Sequence, residues 1–195
     1  MRVLPVFTIL LSVASSCYSA EETMCSLPKP HYHRDASDPE WLAYAAQFHG
    51  HLGPWAAAGL RAGMAARCAV KADGYFDVDV TVEGPLVKPP HSCFLDGLQV
   101  STGATLGKRN LNWLQAEKVV VRVRNTGSGQ VVEVRPTDEL IKLLASVKTR
   151  PKTATAASAH GRDEDHADLH FLEGIARWIA TMPEKRILTV TFPKD

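Results

Sequence analysis

The sequence predicts an α+β domain, and three observations support this fold class. Apolar residues recur at helical spacing in some segments and alternate with polar residues in others, without the regular strand–helix–strand order of a parallel α/β fold. Two alternating runs flank the turn-forming segment 126–129, which predicts an antiparallel hairpin. The 195 residues are 45% hydrophobic and 22% charged, as in one globular domain. We expect this domain to span residues 37–195, with a mixed or antiparallel sheet packed against helices.

The first twenty residues have the order of an export signal. A basic start at Arg2 is followed by an apolar run over residues 3–13 and by small residues up to Ala20. Because the apolar run is too short to span a bilayer, we expect residues 1–20 to be a cleaved signal peptide and the mature protein to be periplasmic or secreted. A lipoprotein anchored at Cys17 is the alternative. No other segment is apolar enough to form a transmembrane span.

The charge balance argues against nucleic-acid binding, and the cysteine count is consistent with one disulfide. Lys and Arg total 22 against 21 Asp and Glu, so no strong positive field exists to bind nucleic acid. After removal of the signal, Cys25, Cys68 and Cys93 remain. Because an exported protein meets an oxidising compartment, we expect a Cys25–Cys68 disulfide and a free Cys93, although spacing alone does not fix the pairing.

The first two predicted helices follow an N-terminal arm over residues 21–36. Ser37 and Glu40 match a capping box, so a helix is expected to begin at Ser37. Its core-facing residues are predicted to be Trp41, Ala45 and Phe48. After a break at residues 50–53, Pro54 begins an Ala-rich helix that runs to about Cys68. In this helix Gly59 and Gly63 lie one turn apart, which predicts a central helix that another element approaches closely.

The remaining elements follow from periodicity. Residues 76–82 alternate as a half-buried strand, with Phe76 on the apolar face, and a proline-rich loop covers 84–91. Ser92 is expected to cap a helix from Cys93 to about Thr102. The hairpin strands are 118–124 and 131–135, Thr137 caps a helix to about Val147, and 149–161 is a flexible connection. An amphipathic helix over 163–182 and a strand over 186–192 close the domain. The buried stripe of that last helix is predicted to contain Leu169, Leu172, Ala176 and Ile179.

The segment Phe48–Pro54 is the first candidate site. It places His49 and His51 beside a helix break, where both imidazoles can face one ion, and neutral imidazole is a good transition-metal ligand. Alternatively, one or both rings only cap the helix junction by hydrogen bonding.

The helix beginning at Cys93 is the second candidate. A cysteine in the first helical turn is close to free backbone N–H groups, which favour a thiolate that acts as metal ligand or nucleophile. Asp96 and Gln99 lie on roughly the same helical face. A buried structural cysteine, or half of a disulfide, is the alternative.

Two further segments contain weaker signals. The run Gly103–Asn110 is one residue too short for a phosphate loop and has Arg109 where Ser or Thr is required, so nucleotide binding is rejected and Lys108 is kept only as a supporting residue near the site. His166, His170 and Glu173 share one face of the late helix, where a metal could bind. A solvated helix face is the expectation we favour there.

Taken together, the motifs FHGHLGP at 48–54 and SCFLDGLQVSTGATLGKRNL at 92–111 resemble the FmdE family, which takes its name from formylmethanofuran dehydrogenase. The resemblance extends over about residues 40–192. It implies an α+β core, often dimeric, with a cleft lined by the histidine pair and the cysteine helix, and an associated metal that is commonly zinc.

Transferred by position, the resemblance implies that His49, His51 and Cys93 are the metal ligands, with Asp96 and Gln99 in support. Two nitrogens and a thiolate suit a zinc site with one open position. This chain departs from the family at Gly53, where many relatives have Cys, and at Ala104, where some do, and the zinc finger that some relatives append is absent from this sequence. The formylmethanofuran dehydrogenase complex is cytoplasmic, whereas this chain is expected to be exported, so a role as a component of that enzyme is not expected.

These observations lead to one hypothesis and two alternatives. The protein is expected to be an exported transition-metal-binding protein, with zinc preferred, that serves in metal handling or assists an exported metalloenzyme or transport partner. One alternative is an enzyme, either a metal-dependent hydrolase or a thiol enzyme, with Cys93, His49 and Asp96 as catalytic candidates. The other is a domain that binds a small organic ligand or a protein partner.

Overall fold

The computed structural model describes residues 26–147 and 162–193, and of residues 162–168 it describes the backbone alone. The expected signal peptide, the lipoprotein cysteine Cys17, the bridge partner Cys25 and the 149–161 connection all lie outside these ranges. Cys68 is exposed. No helix in the described ranges is both long and apolar enough to cross a bilayer.

Helices pack against one five-stranded mixed sheet, which confirms the predicted α+β class. The strand order is β2-β1-β3-β4-β5, with β1 and β2 parallel and the other neighbours antiparallel. The elements are α1 (Glu40–His49), α2 (Pro54–Ala69), β1 (Val78–Gly84), α3 (Cys93–Thr102), β2 (Leu111–Gln115), β3 (Val120–Asn125), β4 (Val131–Pro136), α4 (Asp138–Val147), α5 (Arg162–Thr181), α6 (Glu184–Ile187) and β5 (Leu188–Thr191).

Strand β1 is an interior strand of the sheet, and its period-2 pattern predicts it correctly except at its start. Val78, Val80 and Val82 are fully buried, and the strand pairs with β3 through partners such as Val80 and Val123. Phe76 is predicted to share the buried face but is 81% exposed, because the strand begins two residues later and Phe76 belongs to the preceding turn. The predicted hairpin is confirmed as β3 and β4.

Helix α1 begins later than predicted. Ser37 makes no cap, because its hydroxyl donates to the Asp35 carboxylate, and the helix starts at Glu40. The late start also changes the apolar face: Ala45 is buried as expected, but Phe48 is about half exposed. Thr137 does cap α4, since its hydroxyl oxygen accepts the N–H of Leu140.

Helices α2 and α3 pack with their backbones nearly in contact, which confirms the close approach predicted from the glycine pair. A Cβ at Gly59 would lie 2.0 Å from the carbonyl oxygen of Phe94, and one at Gly63 would lie 2.0 Å from the Ser101 hydroxyl. In the other direction, a Cβ at Gly97 would lie 2.0 Å from the Ala56 carbonyl oxygen. Glycines on both helices therefore set their separation and bring the start of α3 close to the start of α2.

The last helix and strand complete the core. The buried stripe of α5 is confirmed at Ala176 and Ile179, while Leu169 and Leu172 are only partly buried. Arg61 of α2 donates to the carbonyl groups of Ile179 and Ala180 and so ties the end of α5 to the central helix. The predicted closing strand is shorter than expected, since α6 occupies its first residues.

Candidate metal centre

The chain reverses between α1 and α2, and this reversal brings the two histidines together. Gly50 ends α1 in the left-handed conformation, with φ of 92°, and its N–H donates to the carbonyl of Ala46. A glycine suits this position because other residues are strained at positive φ. Gly53 then stands at the N-cap of α2. Across the reversal, the rings of His49 and His51 have their centroids 4.5 Å apart.

Helix α3 supplies the partner that orients His49. The His49 Nδ1 atom lies 2.7 Å from Asp96 Oδ2, and Gln99 Nε2 lies 3.3 Å from Asp96 Oδ1. The amide of Gln99 thus holds the carboxylate that holds the imidazole. With Nδ1 donating its proton to Asp96, Nε2 is the ring nitrogen left to bind an ion.

The electrostatics of the two histidines differ. The hydrogen bond to Asp96, with a further contribution from nearby Cys93, raises the pKa of His49 to about 9. Burial lowers the pKa of His51, and the charge of His49 lowers it further, so His51 favours its neutral form. His49 Nε2 is buried near Cys93 and makes no hydrogen bond of ordinary geometry with the described residues. A buried ring nitrogen without such a bond is costly unless something binds it.

Cys93 is the first residue of α3 and is partly buried beside this histidine pair. A small cavity of about 70 Å³ is lined by His49, His51, Gly53 and Cys93 together with apolar side chains. The N–H groups expected to be free near Cys93 are already used, because the N–H of Cys93 donates to the Pro90 carbonyl and that of the next residue to the His91 carbonyl. Ser92, the expected cap, has helical backbone angles and makes no cap hydrogen bond.

Position 53 tests whether the cavity suits a metal ion. A Cβ placed on Gly53 would lie 3.0 Å from His51 Nε2 and 3.8 Å from His49 Nε2, so both ring nitrogens face the same point beside the backbone. Two imidazole nitrogens and the Cys93 sulfur around one small cavity form a donor set that fits zinc and other late transition metals. The residues that line this cavity therefore fit a transition-metal ion.

Lys108 does not line this cavity. Its ammonium lies over the rings of Tyr75 and Phe76, 5.9 and 5.7 Å from their centroids, in the turn after α3. Its supporting role stays a prediction, as do the ligand roles of the histidines and Cys93.

A second group of potential ligands is closer together than the predicted one. In the part of the chain that the structure describes, His33, His170 and Glu173 offer ligand atoms that all lie within 4.8 Å of one another. The sequence places His170 and Glu173 on one helix face but favours a solvated face, which is wrong for Glu173 because its residue exposure is 0%. His33 falls in an arm without periodicity, and the side chain of His166 is not described.

The fold and this pocket define a class of protein: an α+β domain with a His–Cys pocket where the end of α1 and the starts of α2 and α3 meet, closed by side chains of α4 and α5. Residues 48–189 match the family described as "FmdE, Molybdenum formylmethanofuran dehydrogenase operon", and the chain belongs to this family. Membership suggests a metal-associated accessory role.

A curated relative from Archaeoglobus fulgidus is named "Probable S-adenosyl-L-methionine-binding protein". It is 34% identical over 79 residues, which are 40% of this chain and 21% of that protein. The chain thus spans about a fifth of the length of this relative.

Proposed function

We propose that this protein is an exported FmdE-family member that binds one transition-metal ion through His49, His51 and Cys93. Zinc suits this donor set best, because two imidazoles and a thiolate leave a fourth position open. When bound, the ion would supply Lewis acidity at that position. The protein then serves in metal handling or assists an exported metalloenzyme or transport partner.

One observation carries the proposal: His49 Nε2 is a buried nitrogen that makes no hydrogen bond of ordinary geometry with the described residues, and Asp96 fixes the ring from the other side. A carboxylate that accepts from the outer nitrogen is the usual support of a metal-bound histidine. Export is argued from the order of residues 1–20 alone.

Elemental analysis of the full chain, produced in an exporting host, tests the metal site. We expect metal bound at His49, His51 and Cys93 in the wild type and its loss in the His49→Ala/Cys93→Ser double variant. Cys68→Ser is the matched control, because Cys68 is exposed near the end of α2 and its replacement is expected to leave the metal content unchanged. Equal metal in the wild type and the double variant would overturn the proposal.

The same samples test the other parts of the proposal. The mass of the purified protein by light scattering distinguishes the expected homodimer from a monomer. Its N-terminal residue after export distinguishes cleavage after residue 19 or 20 from retention of Cys17 or of the whole leader.

Binding of an organic ligand is a second candidate, favoured by a cavity of about 510 Å³ beside the metal pocket. This volume is in the range of small-molecule sites. Trp55 lines both cavities, and its buried indole N–H has no hydrogen-bond partner among the described residues. Around the larger cavity lie side chains of both charges, namely Glu117, Lys118, Arg135 and Asp138.

The name of the archaeal relative supplies the first probe, S-adenosyl-L-methionine. Calorimetric titration of the full chain is expected to show binding that Ala145→Trp abolishes, because Ala145 lines the cavity and a larger side chain fills it. Metal content should be unchanged in this variant. Absence of binding, or binding that ignores the substitution, would exclude this ligand from the cavity.

A further inference from the structure

A cluster of metal-ligating side chains lies outside the pocket at Cys93. His33 comes from the N-terminal arm, and His170 and Glu173 come from α5. His33 Nδ1 lies 3.3 Å from Glu173 Oε1, and His170 Nδ1 lies 3.8 Å from Glu173 Oε2. The two imidazoles are stacked, with ring centroids 4.0 Å apart. Two segments 140 positions apart thus place two nitrogens on opposite oxygens of one carboxylate.

The burial of Glu173 calls for a positive partner. Its side chain is 1% exposed, and a buried carboxylate is costly unless cations and hydrogen bonds compensate it. The backbone N–H of His33 donates to Oε1 at 3.0 Å. Arg177 contacts Oε2 at 3.4 Å, but the same guanidinium makes shorter bonds to Asp38, one of them 2.8 Å long. Two buried carboxylates therefore share one arginine.

The two histidines lie between the buried Glu173 carboxylate and solvent. The side chains of His33 and His170 are 45% and 57% exposed, so both rings can be reached from solvent. In a tetrahedral zinc site with bonds of about 2.1 Å, neighbouring donor atoms lie about 3.4 Å apart. The 3.3 and 3.8 Å separations from the carboxylate oxygens lie close to that spacing.

From this geometry we infer that His33, His170 and Glu173 form a second metal site, which takes a divalent transition-metal ion such as zinc. Two imidazoles and one carboxylate are a donor set that zinc uses in sites with an open position for water. This site shares no ligand with the pocket at His49, His51 and Cys93. Its His33 ligand lies outside the residues matched to the family, so the site depends on the arm of this chain.

Cobalt titration of the metal-stripped full chain separates the two sites, because only the Cys93 pocket contains sulfur. A thiolate bound to Co²⁺ gives an intense near-ultraviolet charge-transfer band, whereas two imidazoles and a carboxylate give only weak ligand-field bands. We expect two equivalents of Co²⁺ in the wild type. His33→Gln and His170→Gln should each lose the Co²⁺ equivalent that is bound without sulfur, or bind it at least tenfold more weakly. The thiolate charge-transfer band should remain in both variants.

Two controls complete the design. His31→Gln removes an exposed histidine from the same arm and is expected to keep both equivalents. Cys93→Ser should lose the charge-transfer band but keep the Co²⁺ equivalent bound by His33 and His170. The experiment therefore tests the proposed pocket at Cys93 and the second site independently. Circular dichroism of His33→Gln and His170→Gln is expected to match the wild type, since both side chains are half exposed. If these two variants retain every equivalent bound by the wild type, the cluster is a purely ionic contact between the arm and α5, and the second metal site is refuted.

Discussion

His49 and Asp96 lie 47 positions apart in the sequence and are joined by a hydrogen bond of 2.7 Å between Nδ1 and Oδ2. The bond connects the last residue of α1 to the first turn of α3. It fixes which ring nitrogen of His49 is left for the cavity that also contains Cys93. Much of the chemistry expected of this pocket depends on that one contact.

Removing the carboxylate charge at Asp96 is expected to weaken metal binding without removing a ligand. In Asp96→Asn the His49 ring faces a neutral amide instead of a charged acceptor, so the ring is held less firmly and is less basic, and zinc affinity should drop roughly 10- to 100-fold. The measurement is competition against a chelator of known affinity. Asp79→Asn, at an exposed position on β1, is the matched control and should bind zinc like the wild type. Equal affinity in Asp96→Asn would mean that the contact does not support a metal ligand.

The metal-free protein should lose stability as the pH rises from about 6.5 to about 9. The pKa of His49 is raised from 6.5 to about 9 in the folded chain, chiefly by the hydrogen bond to Asp96. A raised folded pKa stabilises the protein fully below the unfolded value, and this contribution is lost as the pH passes through the folded value. We expect a loss of roughly 2 kcal/mol after allowance for solvent screening.

Urea unfolding of the chelator-treated protein at several pH values, with NMR of the His49 ring, checks this dependence. The lowered pKa of His51 acts on the acidic side of 6.5 and leaves the upper window to His49. Asp96→Asn should flatten the profile between pH 6.5 and 9. A His49 ring that titrates near 6.5 in the metal-free wild type would contradict the argument.

Gly53→Cys is expected to add a ligand to the pocket. The Cβ would lie 3.0 Å from His51 Nε2 and 3.8 Å from His49 Nε2, and φ at this residue is −106°, which any side chain adopts. A sulfur here should raise metal affinity roughly tenfold or more and intensify the thiolate band of the cobalt form. Gly53→Ala, which adds the carbon without the sulfur, is the control and should do neither. A cysteine variant that behaves like the alanine variant would place the ion elsewhere.

Features of the fold with a local signature are predictable from the sequence. Valines at every second position indicate β1, and two glycines one turn apart indicate the contact between α2 and α3. Strand β2 is missed, because only Leu111 is buried in this edge strand and no alternation results. The parallel pairing of β1 with β2 is not foreseen either, because the relative direction of two paired strands leaves no pattern in the local sequence.

The candidate site is predictable to a similar extent. His49 and His51 lie in one short motif, so their proximity is nearly a local property, and the cysteine helix reaches them through glycine-mediated packing. By contrast, His33 contacts α5 through Glu173, next to the ion pair of Asp38 with Arg177, and these contacts join residues about 140 positions apart. No periodicity in the arm encodes such a contact.

The contact between α2 and α3 predicts that Gly59→Ala is strongly destabilising. The new methyl carbon would lie 2.0 Å from the Phe94 carbonyl oxygen, so the helices must separate, at a cost of about 3 kcal/mol or more. Gly174→Ala is the control, because no atom lies within 4 Å of that Cβ and alanine is the better helix former by about 0.5–1 kcal/mol. Chemical unfolding should therefore show opposite signs for the two substitutions. Similar effects of both would show that the helix contact is looser than described.

Asp38 is expected to be the residue that holds the arm against α5. Its carboxylate accepts the Tyr32 hydroxyl at 2.5 Å and binds Arg177 at 2.8 Å, and its side chain is only 3% exposed. Burial alone would raise the pKa of Asp38, but the hydrogen bonds from Arg177 and Tyr32 outweigh burial and hold the pKa below its ordinary value. The ionised carboxylate is therefore the form that the fold requires.

Asp38→Asn should destabilise the protein by about 3 kcal/mol, because it breaks a buried ion pair. The guanidinium of Arg177 then pairs with Glu173 instead of Asp38. Tyr32→Phe removes only one hydrogen bond to the same carboxylate and should cost about 1 kcal/mol. Urea unfolding measures both costs. Limited proteolysis then tests the cause, since only Asp38→Asn should make the arm before α1 much more susceptible to cleavage. If the two variants lose equal stability and the arm stays protected, the arm is held by its apolar contacts and the ion pair contributes little.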